Sequence, residues 1–246
     1  MKQIACVFLL VFAISPLMAA PLSISSPVQQ ATLIELYTSE GCYSCPPADQ
    51  WLATLKSHKQ LWTTYVPVAF HVDYWNYLGW RDPFAKAQYS ERQRQYASHR
   101  YTKTVYTPGL FQNGREWRAW FSDRRLRSPV DNDVGVLQGA IDNNQLRVSF
   151  TPVHDLSAPL QLNVAVLGFD IMTEVSNGEN EGKVLEHDFV ALSLGHYQGQ
   201  VLDNVYQWQI ADASIDLNAR HAKGIALWVS RVGDPTPIQA AGGWLR

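Results

Sequence analysis

The sequence predicts an α/β domain followed by an all-β domain, the second an antiparallel β-sandwich. Three observations carry this. A short apolar run, Leu33-Ile34-Glu35-Leu36-Tyr37, leads through Cys42-Tyr43-Ser44-Cys45 into a helical stripe. Strand-like and helix-like segments then follow one another as far as Asn144. Beyond Asn144 the runs read as strands, and no stripe of helical period stands out between them.

Each element has its own warrant. Residues 21–30 are polar and proline-spaced and read as a flexible lead-in. Residues 33–37 suit a buried strand. Ala48, Trp51, Leu52 and Leu55 recur at i, i+3, i+4 and i+7, one apolar stripe. Pro46 and Pro47 fit the first turn of that helix, where no intrahelical N–H is needed. Residues 66–72 form a second apolar run, expected as a parallel neighbour of the first strand, and an aromatic loop with Trp75 follows over residues 73–82. Asp82 and Pro83 read as the cap and first position of a second helix, with Ala85, Tyr89, Arg92 and Tyr96 on one face and an end near His99. Asn113-Gly114 signals a type I′ hairpin. Pro108 enters its first arm, a place that confines proline to a strand start or edge or marks a cis bond. Ser128-Pro129 opens a third predicted helix with a stripe of Val130, Val134, Leu137 and Ile141, ended by Asn143-Asn144. Residues 146–153, 160–175, 188–194, 205–211, 225–232 and 237–241 read as strands. The expected division is residues 31–144 and residues 145–246.

The chain is 46% hydrophobic and 17% charged, an ordinary globular composition. Its first twenty residues differ. Lys2, an apolar run from Ile4 to Met18 and the small residues Ala19 and Ala20 have the form of a secretory signal peptide cleaved near Ala19 or Ala20. The expected location is periplasmic or secreted, with no transmembrane span after cleavage. Cleavage removes Cys6 and leaves Cys42 and Cys45. One pair cannot staple a scaffold, but it can form a redox-active disulfide. A zinc site would need further ligands, and the seven histidines show no tight paired spacing. Loss of Lys2 takes the formal net charge from −2 to about −3. The one short basic run, Arg124-Arg125-Leu126-Arg127, reads as a solvated face, so no nucleic-acid partner is expected.

A Cys-x-x-Cys at a helix start has defined chemistry. Unpaired N–H groups and the positive end of the helix dipole favour the thiolate of Cys42, expected to be exposed. Cys45, expected one turn in and more buried, would resolve a mixed disulfide. Trp75 and its aromatic neighbours lie on a loop at a strand's carboxyl end, where they would either wall the thiol site or cover the core. His71 and Asp73 end the second strand. A histidinium there would stabilise the Cys42 thiolate; the alternative is a hydrogen-bonded core histidine. Gly178-Glu179-Asn180 reads as a turn with a structural or interface role.

The order of strand, Cys-x-x-Cys helix, Thr107-Pro108 and hairpin resembles the thioredoxin fold. The stretches from Glu35 to Asp49, from Phe70 to Phe84, from Val105 to Pro108 and from Asn177 to Gly182 more closely resemble the secreted bacterial family catalogued as domain of unknown function 1223. The resemblance implies a cis Pro108 beside the disulfide, shaping a partner-binding groove with Thr107, Tyr43, Ser44 and Trp75. It also implies a proton-relay role for Glu35 if its carboxyl points at Cys45; the alternative is a polar residue facing a solvated crevice. Tyr43-Ser44 replaces the Gly-Pro of thioredoxins. The expected activity is dithiol–disulfide exchange with proteins or small thiols and disulfides, with no cofactor or metal. Two other readings stay open: soft-metal handling by Cys42, Cys45 and His71, and a binding module whose disulfide is a fixed bridge.

Overall fold

The structure is a computed structural model and describes residues 22–126, 131–142, 145–211 and 215–245. The expected signal peptide, Ser128-Pro129 and the expected boundary at Asn144 lie outside the described residues. No helix among the described residues is long and apolar enough to cross a membrane.

The Cys-x-x-Cys region forms much as its pattern predicts. Strand β2 (Thr32–Thr38) follows a short strand β1 (Leu22–Ser25) and runs into helix α1 (Pro46–Ala53). Strand β3 (Tyr65–His71) lies parallel to β2, with Thr32 opposite Tyr65 and Thr38 opposite His71. Helix α2 (Ala87–Ser98) leads to strands β4 (Gly109–Gln112) and β5 (Arg115–Glu116), joined by Asn113-Gly114. Both turn residues have positive φ, +47° and +76°, as a type I′ hairpin requires. The Thr107–Pro108 bond is cis. Thr38 and Glu35 are three apart on β2 and so face opposite sides of the sheet. Thr38 meets Asp49 of α1 and Glu35 meets Arg92 of α2, which puts the two helices on opposite faces.

The second half corrects the expected fold class. An α/β domain beside a separate sandwich does not form. Strands β8 (Leu160–Gly168), β11 (Val190–Gln198), β14 (Ala222–Arg231) and β15 (Pro237–Trp244) extend the same sheet. Its order is β15-β14-β8-β11-β3-β2-β4-β5. The junction is parallel, Val190 of β11 against Ala69 of β3, with Ala69 N–H donating to the Phe189 carbonyl at 2.8 Å. The physical reason lies in β3. All seven of its residues are buried, so an unpaired edge would strand backbone N–H and C=O groups away from water.

A second, five-stranded antiparallel sheet covers this extension. It is ordered β1-β6-β7-β13-β12, where β6 is Gly135–Asp142, β7 Gln145–Pro152, β12 Gln200–Leu202 and β13 Val205–Ile210. Leu162, Val164 and Val166 of β8 and Ile225, Leu227 and Val229 of β14 share a core with Leu137, Val148, Phe150 and Trp208. The alternate residues Ala165, Leu167, Ala226 and Trp228 join the core around β2, β3 and the helices. Strands β9 (Ile171–Glu174) and β10 (Val184–His187) form a small ribbon of their own.

Three local expectations are also corrected. The third helix is strand β6, paired with β1 on one side and β7 on the other. Gly135 and Gly139 weaken a helix there, and a Cβ at Gly139 would lie 2.7 Å from Leu227, so the glycine lets the two sheets approach. The lead-in contains β1, whose register is fixed from Leu22 opposite Ile141 to Ser25 opposite Gln138. Helix α2 begins after Lys86, not at Asp82, whose Oδ1 accepts the Phe84 N–H in a turn ahead of the helix while its Oδ2 meets His71.

Candidate functional site

Cys42 and Cys45 form a disulfide with their Cα atoms 5.4 Å apart. Cys45 is the N-cap of α1, and Pro46 and Pro47 occupy its first two positions. The backbone N–H groups of Ala48 and Asp49 turn back to the Cys45 carbonyl at 2.8 and 3.2 Å. Cys42 sits in the turn before the helix, so it is not itself the helix start that its spacing suggested.

Burial is the second departure. Cys42 is 1% exposed and Cys45 fully buried, whereas Tyr43 between them is 66% exposed. The cover comes from two directions. On one side a Cβ at Gly41 would lie 3.1 Å from Trp75, whose indole N–H donates to Thr107 Oγ1 at 2.7 Å. On the other, the 178–180 turn clasps the cysteine turn. Asn180 Nδ2 donates to the carbonyls of Glu40 (2.8 Å) and Cys42 (3.0 Å), and the Tyr43 N–H donates to Glu179 Oε2 at 3.1 Å. Lys183 Nζ donates to Asn180 Oδ1 and stands 4.3 Å from the Tyr43 ring centroid. Ser44 Oγ lies 3.6 Å from Cys42 Sγ.

Glu35 is placed elsewhere. Its carboxylate accepts from Arg92 Nε at 2.6 Å, from Tyr37 OH at 3.1 Å and from a short Tyr96 hydroxyl contact, on the sheet face that carries α2. Burial pushes the Tyr96 phenol up, and the Glu35 charge pushes it further. The carboxyl points at Arg92 and away from the α1 face, so the condition for a relay to Cys45 is not met. Asp73 is likewise drawn to Ser90 of α2.

His71 is a hydrogen-bonded core histidine. Its Nδ1 lies 2.7 Å from Asp82 Oδ2. Burial alone would lower its pKa, but the Asp82 charge and hydrogen bond, with Asp49 and Glu40, raise it to about 9. Asp49, four residues after Cys45, has a carboxyl raised by burial, with His187, His71 and the Thr38 hydrogen bond pulling the other way. His187 lies 3.1 Å from Glu40 Oε1. Asp49 was findable from its spacing to Cys45. Asn180 belongs to the turn read from sequence with a structural or interface role, but nothing local placed it against the cysteine turn, and His187 had no local signal, since both come from the other half of the chain.

Residues 33–230 match the family described as Protein of unknown function (DUF1223), and the chain belongs to that family. No curated protein sequence matches it. Two solved structures share its fold. Protein AGR_C_4864 from Agrobacterium tumefaciens is 22% identical, with 87% of this chain and 95% of that one covered at a TM-score of 0.63. HBP35 of Porphyromonas gingivalis is 12% identical, with 88% and 76% covered at a TM-score of 0.56. At these identities the likeness is one of fold.

Proposed function

We propose that the protein carries out thiol–disulfide exchange through Cys42 and Cys45 in an exported, periplasmic or secreted setting. The observation that carries this reading is the disulfide itself, closed across a Cys-x-x-Cys at the N-terminus of α1. In the oxidised form a partner thiolate attacks Cys42 Sγ and expels the Cys45 thiolate, giving a mixed disulfide. A second partner thiolate then attacks the partner's own sulfur in that bond. The partner leaves as a disulfide, and Cys42 and Cys45 hold the two electrons as a dithiol. In reverse, the Cys42 thiolate attacks a partner disulfide and Cys45 resolves the adduct. The helix end favours thiolate charge. Exposed Tyr43 and Ser44, with the partly buried Trp75 and Thr107, supply the surface for protein or small thiol partners, while Pro108 is itself buried. Access to Cys42 requires the 178–180 clasp to open.

The burial of both cysteines favours a second reading, a binding module with a fixed disulfide. Trapping separates the two. Cys45→Ser is expected to accumulate mixed disulfides through Cys42 in a periplasmic extract, and Cys42→Ser none. Equal trapping by both variants, or by neither, would contradict the exchange reading.

A further inference from the structure

Beneath the Cys42–Cys45 turn lies a closed cluster of five ionisable side chains, Glu40, Asp49, His71, Asp82 and His187, all buried. Two of its carboxylates fix the two imidazoles. Asp82 Oδ2 holds Nδ1 of His71 at 2.7 Å, and Glu40 Oε1 holds Nε2 of His187 at 3.1 Å. These carboxylates are themselves anchored. Asp82 accepts the backbone N–H groups of Glu40 and Phe84, both at 2.9 Å, and Glu40 Oε2 accepts the Trp80 indole at 2.8 Å.

A carboxylate only accepts. In a neutral imidazole the N–H therefore faces the carboxylate, and the far nitrogen carries a lone pair. Those far nitrogens, Nε2 of His71 and Nδ1 of His187, are buried and have no hydrogen-bond partner in the protein. The two rings stand 5.0 Å apart at 81°. Asp49 completes the set. One of its oxygens takes the Thr38 hydroxyl at 2.8 Å, and ligand atoms from Asp49, His71 and His187 all lie within 4.8 Å of one another. A buried ring nitrogen without a partner is costly whether it carries a lone pair or a proton, and three carboxylates crowd around these two rings.

We propose that Asp49, His71 and His187 bind one divalent first-row transition ion, with zinc as the reference case. Two imidazole nitrogens and one carboxylate oxygen form a donor set suited to such ions. Binding would require these side chains to rotate inward until each ligand atom stands at the about 2.0–2.2 Å that zinc takes. Asp82 and Glu40 are the outer carboxylates that orient metal-bound imidazoles. The ion would tie α1 to the ends of β3 and β10. It uses no cysteine and does not depend on the exchange reading.

The test is metal content of the full chain, made in zinc-supplemented medium and purified without chelator or affinity tag. About one zinc per chain is expected by mass spectrometry, with or without a phosphine reductant and equally in the Cys42→Ser/Cys45→Ser double variant. Cobalt substitution should give ligand-field bands without a sulfur-to-cobalt charge-transfer band. Asp49→Asn and His187→Gln should each weaken binding at least tenfold. If either variant fails to fold, the wild-type chain decides: stripping zinc must lower its Tm and adding zinc must restore it. A wild type that binds no zinc, cobalt or manganese overturns the proposal and leaves a bridging water in the cluster. So does unchanged affinity in folded Asp49→Asn, or loss of the metal with the cysteines.

Discussion

Asn180 donates from one amide nitrogen to the carbonyls of both Glu40 and Cys42, at 2.8 and 3.0 Å. A residue from the second half of the chain thus holds shut the turn that carries the disulfide. Asn180→Ala leaves two buried carbonyls without this donor, at a cost of roughly 1–3 kcal/mol. Thermal unfolding should show that loss, and dithiothreitol should reduce the disulfide faster than in the wild type. Asn180→Asp should be worse, since a carboxylate then faces two carbonyl oxygens. An unchanged reduction rate in folded Asn180→Ala would mean that the clasp does not control access.

Glu35 and Arg92 form a buried ion pair at 2.6 Å, with Arg92 also donating to Tyr96 OH and the Pro235 carbonyl. Removing one partner strands the other charge, so Glu35→Gln should destabilise the fold by about 3–5 kcal/mol. Urea denaturation checks this. The pH profile of disulfide exchange should keep its shape in the surviving folded fraction. A shifted profile with little loss of stability would instead make Glu35 a proton relay.

Asp170 bridges Lys56 and Lys223, both at 2.6 Å. Hydrogen bonds from Lys223 and then Lys56 lower its carboxyl from 3.8 to about 2. A depressed carboxylate stabilises the fold above its unfolded pKa and loses that contribution as pH falls through the folded one. The carboxylate is 53% exposed, so water and salt screen the pair to less than about 1 kcal/mol. Asp170→Asn should therefore be slightly less stable than wild type at neutral pH, with the difference vanishing between about pH 4 and pH 2. A difference that persists at pH 2 would need another cause.

How much of this was legible follows from range in sequence. The β2–α1 unit and the Asn113-Gly114 hairpin depend on neighbours a few residues away, and their patterns were clear. Strand β6 was misread because Val134, Leu137 and Ile141 also fit a helical stripe, while its strand state depends on pairing with Leu22–Ser25 more than a hundred residues earlier. The single sheet was hidden for the same reason, since Ala69 meets Val190 across the two halves. At the site, Cys42, Cys45 and the Trp75–Thr107 contact involve candidate residues read from sequence. Asn180, Glu179 and His187 reach the site only through tertiary structure. Glu35 was misdirected by alternation that nothing local reveals: its side of β2 faces α2.

The equilibrium reduction potential of the Cys42–Cys45 pair in the intact chain is the most direct test, measured in glutathione buffers with Trp51 fluorescence as the signal. An exchange protein must have a pair that glutathione titrates, and the predicted value lies between about −270 mV, near thioredoxin, and about −120 mV, the strong-oxidant end. A pair that glutathione fails to reduce, below roughly −300 mV, would contradict exchange and make the disulfide a fixed bridge under the Asn180 clasp.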